Sequence, residues 1–372
     1  MKPRRPTSAD VAALAGVSRT TVSFVLNDRT DVTIRESTRG RVRDAARRLG
    51  YHPHGPARGL AGGLSRTLGL VLRQSPEHVA GDALLAETLR GLAGAARAVD
   101  YRVIVEPLGP ANGASDELLR SRRTDGVVVS GPRVDDPIIP RLVEEGFPII
   151  LQGSLPGVDS PSVDVDNVAG ARLATEHLLE LGHRTVGCIT NAPLAYTSAR
   201  ERLDGYLAAL RSAGVPADAR LIVEAGPDPS SGYRAMAALL AAAPVTAVFV
   251  ASDVVALGAF SALTDAGLRC PDDVSVVGFD DIPLAAFFDP PLTTVRIPAH
   301  DLGLAAGSAL LDRIAGRPVP ARTLLPTELV VRSSTAPLRS ASDVTRGRPK
   351  RRRGSMEETD RRRGEPKKGV IG

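Results

Sequence analysis

The chain contains no tryptophan, 3% aromatic residues and three methionines among 372 residues. With 43% hydrophobic residues its cores must be built from Ala, Val, Leu and Ile, and the length suffices for two or three domains. Cysteine is nearly absent. Cys188 and Cys270 have neither metal-site spacing nor the pattern of a disulfide framework, so a reduced, cytoplasmic protein without a metal site is expected. No apolar run approaches the roughly 18–20 residues of a membrane span. The basic N-terminus MKPRRP is followed by periodic apolar residues broken by charge, so neither a secretory signal nor a membrane partner is expected. P-loop, GxSxG and CxxC motifs are missing. GLAGGLSR is glycine-rich but lacks the strand-then-helix setting of a nucleotide loop. His177 and His183 lack HExxH spacing and read as solvent or interface residues. No catalytic constellation emerges, so the expectation is a protein without cofactor that is not an enzyme.

Charge is present in an uneven distribution. Residues 1–66 hold 13 Lys+Arg against 5 Asp+Glu, and residues 338–372 hold 12 against 5. The whole chain is only +5, so the middle is acidic. Such a body repels a polyanion while its two ends attract one.

The first 52 residues carry an explicit helical pattern. Thr7-Ser8-Ala9-Asp10 opens a helix in capping-box style, with Val11, Leu14 and Ala15 as its apolar stripe and Gly16 as its left-handed end. Ser18 caps a second helix, on which Val22, Val25 and Leu26 share one side while Thr20, Phe24 and Asn27 face away. A third helix runs from Glu36 to Leu49, with Val42, Ala45, Ala46 and Leu49 inward and Gly50 at its end. Two short helices joined by a glycine turn form a helix-turn-helix unit, whose second helix enters the major groove. Arg19 can fork onto a guanine there, and Thr20 can hydrogen-bond or touch a thymine methyl. Phe24 either packs on thymine methyls or folds back onto the third helix. Ser18, Thr21 and Asn27 complete the candidate DNA contacts.

From Thr67 onward strand-like runs alternate with helical ones. The runs lie at 68–72, 102–107, 126–130, 147–151, 185–190, 221–225, 246–252 and 274–279. Continuous apolar strands between helices indicate parallel sheets covered on both faces. Eight repeats point to two doubly wound subdomains, with a single eightfold barrel as the competing closure. Ligands in open α/β sheets sit beyond the carboxyl ends of strands. Asp280 and Asp281 fall at such an end, as do Ser252 and Asp253, and Arg202 begins the helix after the 185–190 strand and its loop. Paired carboxylate and guanidinium groups suit vicinal sugar hydroxyls, though an Asp there equally caps a helix.

ADVAALAGVSRTTVSFVLN and STRGRVRDAARRLGYHP resemble the headpiece of the lactose/galactose repressor family of bacterial transcription factors. SVDVDNVAGARLATEHLLELGHR, PLAYTSARERLDGY, VASDVVALGAFSALTDAGL and DDVSVVGFDD resemble that family's effector core, in the same order. The resemblance covers about residues 7–335. It implies an all-α headpiece at 1–52, a hinge at 53–66 and an α/β core at 67–337 similar to two-lobed periplasmic sugar-binding proteins. The first lobe is expected at about 67–159 and 298–324, the second at about 160–297 and 325–337. Leu60 takes the position of a leucine that wedges into the minor groove. Gly55, Pro56, Gly59, Gly62 and Gly63 make that hinge unusually flexible, so it is expected to order only on DNA. The effector contacts implied are Arg202, Asp280 and Ser252, with Gln152 near a position that often holds Asp.

The function implied is that of a homodimeric repressor on a palindromic operator, controlled by a small molecule, most simply a carbohydrate. A purine- or other metabolite-responsive regulator on the same scaffold is the alternative. A transport-linked solute-binding protein would need an export signal and no helix-turn-helix. The polar tail at 338–372 lacks leucine heptads and reads as a disordered extension able to touch phosphates.

Overall fold

The computed structural model describes residues 6–26, 32–51, 64–79, 81–108 and 123–339. Asn27, Leu60, most of the hinge and nearly all of the tail lie outside the described residues.

Three helices form the N-terminal module: α1 (Ser8–Ala15), α2 (Arg19–Leu26) and α3 (Glu36–Leu49). The capping box is present, the Thr7 amide donating to Asp10 Oδ2 at 2.7 Å and the Asp10 amide to Thr7 Oγ1 at 3.4 Å. Gly16 and Gly50 end α1 and α3 at φ of 65° and 60°, the left-handed region that a side chain disfavours. Val11, Ala12, Ala15, Val22, Val25, Val42, Ala45 and Ala46 make one small core. Leu14 does not join it and is 51% exposed. The buried stripe of α1 runs through Ala12 instead, because close helix contact needs the smaller side chain and leaves Leu14 at the rim.

The core consists of two six-stranded sheets. The first contains β1 (Thr67–Leu72), β2 (Arg102–Pro107), β3 (Gly126–Ser130), β4 (Ile149–Gln152), β5 (Ser162–Val165) and β11 (Arg322–Leu325), in the order β11-β5-β4-β3-β1-β2. The second contains β6 (Val186–Ile189), β7 (Ile222–Val223), β8 (Ala247–Val250), β9 (Ser275–Asp280), β10 (Thr293–Arg296) and β12 (Glu328–Val330), in the order β12-β10-β9-β8-β6-β7. All pairings are parallel except β10 with β12. The open orders exclude the eightfold barrel. Strands such as LGLVL and AVFV are buried throughout, as parallel strands covered on both faces must be.

Four strands are not among the eight apolar runs. β5 (SVDV), β10 (TTVR), β11 and β12 are three or four residues long and rich in Asp, Thr, Arg and Glu. They carry the chain between the sheets or complete their edges. β5 belongs to the first sheet, so the first crossing falls after Val165 rather than at residue 160.

The helices of the core are α4 (Pro76–Val79), α5 (Leu85–Arg97), α6 (Ile138–Glu144), α7 (Asn167–Glu180), α8 (Thr197–Ser212), α9 (Pro229–Ala242), α10 (Asp253–Asp265) and α11 (Ala299–Ile314). They pack in pairs, α5 with α11, α7 with α8 and α9 with α10. Where α5 crosses α11, Gly91 faces the His300 carbonyl and Gly303 faces the Thr88 carbonyl, so close that a Cβ at either would collide.

Both histidines singled out above have structural partners instead of facing solvent. His183 is 3% exposed, with Nδ1 3.0 Å from Thr246 Oγ1 and Nε2 3.0 Å from the Ala336 carbonyl. His177 Nε2 lies 3.0 Å from Thr335 Oγ1. Burial holds both rings below their ordinary pKa, in the neutral form. Together they pin the segment around Thr335 and Ala336 to the second lobe.

Candidate functional site

The outward side of α2 is polar. Ser18, Arg19 and Thr20 are exposed, while Thr21 and Phe24 are half-buried. Ser18 Oγ accepts the Thr21 amide at 3.0 Å and lies 2.9 Å from Thr21 Oγ1. These two hydroxyls therefore cap the helix and fix its first turn, leaving Arg19 and Thr20 as the side chains presented outward. On α3, Arg43 and Arg47 are partnered by Glu36 and Asp44, while Arg41 and Arg48 are exposed at its surface.

In the second lobe the fold brings Arg202, Ser252 and Asp280 together from three elements. Arg202, in the second turn of α8, donates from Nη1 to Asp280 Oδ1 at 3.2 Å and to the Ala251 carbonyl at 2.6 Å. Its Nε donates to Asn167 Oδ1 at 3.0 Å, and the guanidinium stacks 3.9 Å from the centroid of the Phe279 ring. Ser252 stands at the N-terminal boundary of α10, where its hydroxyl favours the charged form of the Asp280 carboxylate. Asp280 ends β9, and burial pushes its carboxyl up to about 6 against the opposing pull of Arg202. The charge of Asp82, from the first lobe, raises it further, which puts Asp82 within electrostatic reach of Asp280. Asp82 is itself raised by burial and caps α5 through the Leu84 and Leu85 amides.

Gln152 ends β4 in the first lobe, with its Oε1 buried and unpartnered, and makes no hydrogen bond to the other three. The neighbours Asp253 and Asp281 serve the scaffold. Asp253 accepts Thr294 Oγ1 at 2.6 Å and the Ile282 amide at 3.0 Å, and burial raises its pKa. Asp281 pairs with Arg296 at 2.8 Å and Arg332 at 2.6 Å.

Reading the sequence did not single out Asn167, Glu201, Ser154 or Asp82. Asn167 donates to Asp164 Oδ2 at 3.2 Å and to Glu201 Oε2 at 3.0 Å, and Glu201 Oε1 accepts Ser154 Oγ at 2.7 Å. Asp164 is pushed up to about 7, first by burial and then by the charge of Glu201. The buried polar triad of a carboxylate, an arginine and a hydroxyl can grip vicinal hydroxyls in a bidentate way. Among the described residues no group of three His, Cys, Asp or Glu side chains could hold a metal ion.

Residues 7–54 match the model of bacterial regulatory proteins of the lacI family, and residues 175–335 match a periplasmic binding protein-like domain. The chain is 37% identical over 338 residues to the HTH-type transcriptional regulator CelR of Thermobifida fusca, covering 89% of this chain and 98% of that protein. It is 35% identical over 340 residues to the HTH-type transcriptional repressor CytR of Escherichia coli K12, covering 89% and 97%. Among solved structures, a CelR–cellobiose complex superposes with a TM-score of 0.70 at 36% identity, covering 89% of this chain and all of that one. A Lac repressor dimer bound to operator and the anti-inducer ONPF gives a TM-score of 0.78 at 30% identity, covering 90% and 100%. A helix-turn-helix head joined to a two-lobed core and matched over nearly nine-tenths of its length places this chain in the lacI family of DNA-binding transcriptional regulators.

Proposed function

We propose that this regulator is a cytoplasmic homodimeric repressor that reads a near-palindromic operator, and that a carbohydrate held between the lobes sets its affinity for that operator. On this reading Arg19 and Thr20 contact base edges, Phe24 packs on thymine methyls, and Ser18 and Thr21 hold the helix in register. Arg202, Asp280 and Ser252 grip the effector from the second lobe, and Gln152 faces them from the first. The observation that carries the reading is the buried contact of Arg202 with Asp280, since a guanidinium and a carboxylate side by side offer both donors and acceptors to vicinal hydroxyls. The relatives support it: CelR is solved with cellobiose, and the Lac repressor is solved as a dimer on its operator. The chemistry is binding, and each contact acts through differential affinity for the two lobe arrangements.

A thermal-shift screen of mono- and disaccharides against nucleobases and nucleosides tests the effector class. A sugar present at 100 times its Kd adds about 2.7 kcal/mol of stability. Asp280→Asn should abolish the shift. A response to nucleobases alone overturns the carbohydrate reading.

A further inference from the structure

We infer that α8 is a latch between the lobes and that Glu201 is the positioning residue that links lobe separation to the reach of Arg202. The inference rests on the reading of Arg202 as an effector contact. Helix α8 belongs to the second lobe yet touches the first at two successive levels. At its N-terminus the Tyr196 hydroxyl donates to the Arg73 carbonyl at 2.6 Å, and the Thr197 amide donates to the Pro132 carbonyl at 3.2 Å. One turn further on, Glu201 accepts Ser154 Oγ at 2.7 Å. Thr197 and Glu201 are spaced i, i+4, so both contacts lie on one face of the helix.

This seam has little slack. Gly153, at φ 120°, packs where a Cβ would stand 2.7 Å from Pro132 Cδ, so the two first-lobe loops that meet α8 are pressed together. The second oxygen of Glu201 accepts Asn167 Nδ2 at 3.0 Å, and Asn167 Oδ1 accepts Arg202 Nε at 3.0 Å. Asn167 is the first residue of α7, immediately beyond the crossing from the first sheet. A continuous chain of hydrogen bonds thus runs from Ser154 through Glu201 and Asn167 to Arg202. If the lobes part, Ser154 leaves and a half-buried carboxylate keeps a single donor, Asn167, whose carbonyl sets the orientation of Arg202. If a ligand pulls on Arg202, the same chain draws Glu201 toward or away from Ser154.

The test uses the full chain without ligand. Backbone deuterium exchange is measured for Ser154→Ala, Glu201→Ala, the double variant and Ser154→Thr. Removing a hydrogen bond to a charged group should raise exchange about tenfold in segments 131–134, 153–155 and 195–197, with β8, β9 and the second half of α8 unchanged. The double variant should match the singles rather than their product, and Ser154→Thr, which keeps the hydroxyl, should exchange like the parent. Exchange of the Arg202 Nε proton, assigned as the arginine signal that disappears in Arg202→Lys, should quicken to a similar extent in both alanine variants. Unchanged exchange at the seam, or exchange that rises along all of α8, overturns the latch. An unchanged Arg202 Nε signal overturns the relay. Should Glu201→Ala fail to fold, Ser154→Ala, on the opposite lobe, decides alone. If the latch holds while Arg202→Lys leaves every ligand shift intact, the effector assignment of Arg202 is what fails.

Discussion

Adjacent aspartates at the end of β9 serve two different partners. Asp280 and Asp281 have φ of 118° and 53°, and this left-handed pair of steps sends one carboxylate to Arg202 and the other to Arg296 and Arg332. The strain is held by ion pairs on both sides and falls at the proposed effector grip. Asp164 shows what burial and the like charge of Glu201 do to a carboxyl when the opposing pull of Arg202 and Arg322 is weaker. Its pKa rises from the ordinary 3.8 to about 7. A carboxyl raised in the fold keeps its proton longer than in the unfolded chain, so stability falls as pH climbs from about 4 to about 7. Asp164→Asn should remove that slope, and its melting temperature should gain on the parent between pH 5 and pH 8. Parallel melting curves across that range would show that Asp164 does not titrate in this window. In the headpiece, Arg19→Ala should relax specificity at one base pair by about 1–3 kcal/mol, measured against single-base operator variants. An equal weakening on every sequence would make Arg19 a phosphate contact.

At the scale of elements, packing depends on small residues at helix crossings. The α5–α11 contact is set by Gly91 and Gly303 meeting opposing backbone carbonyls. Gly303→Ala should force the pair apart and cost about 1–3 kcal/mol, read as a lower urea midpoint with the slope unchanged. The long strands and amphipathic helices are legible in the sequence because apolar periodicity reports burial directly. The capping box at Thr7 and the glycine stops of α1 and α3 are legible for the same local reason. The crossing strands are not, since SVDV and TTVR are short and take their place from the sheets they join. Arg202, Ser252 and Asp280 can be named through family resemblance and strand ends. The Ser154–Glu201–Asn167 relay cannot, because its members come together only through the crossing after β5, and no spacing along the chain announces it. Leu14 and the two histidines depart from expectation through tertiary override: a smaller neighbour takes the core, and the segment around Ala336 folds back over the imidazoles.

At the scale of the molecule, charge divides the labour. The 35 residues from 338 to 372 hold 12 Lys+Arg against 5 Asp+Glu, attached to an acidic body. Deleting them should flatten the slope of log K against log salt for DNA binding, by about 0.9 for each phosphate they neutralise. An unchanged slope would show that this segment leaves the phosphates alone.

The first sheet is closed on one edge by β11, whose residues 322–325 come more than 150 positions after its partner β5. The small core of the headpiece, by contrast, draws on nothing downstream of Tyr51 among the described residues. During synthesis a chain therefore carries a finished DNA-reading head long before it owns a complete sensor. A chain cut short anywhere between Tyr51 and β11 would carry that head on an unfinished first sheet.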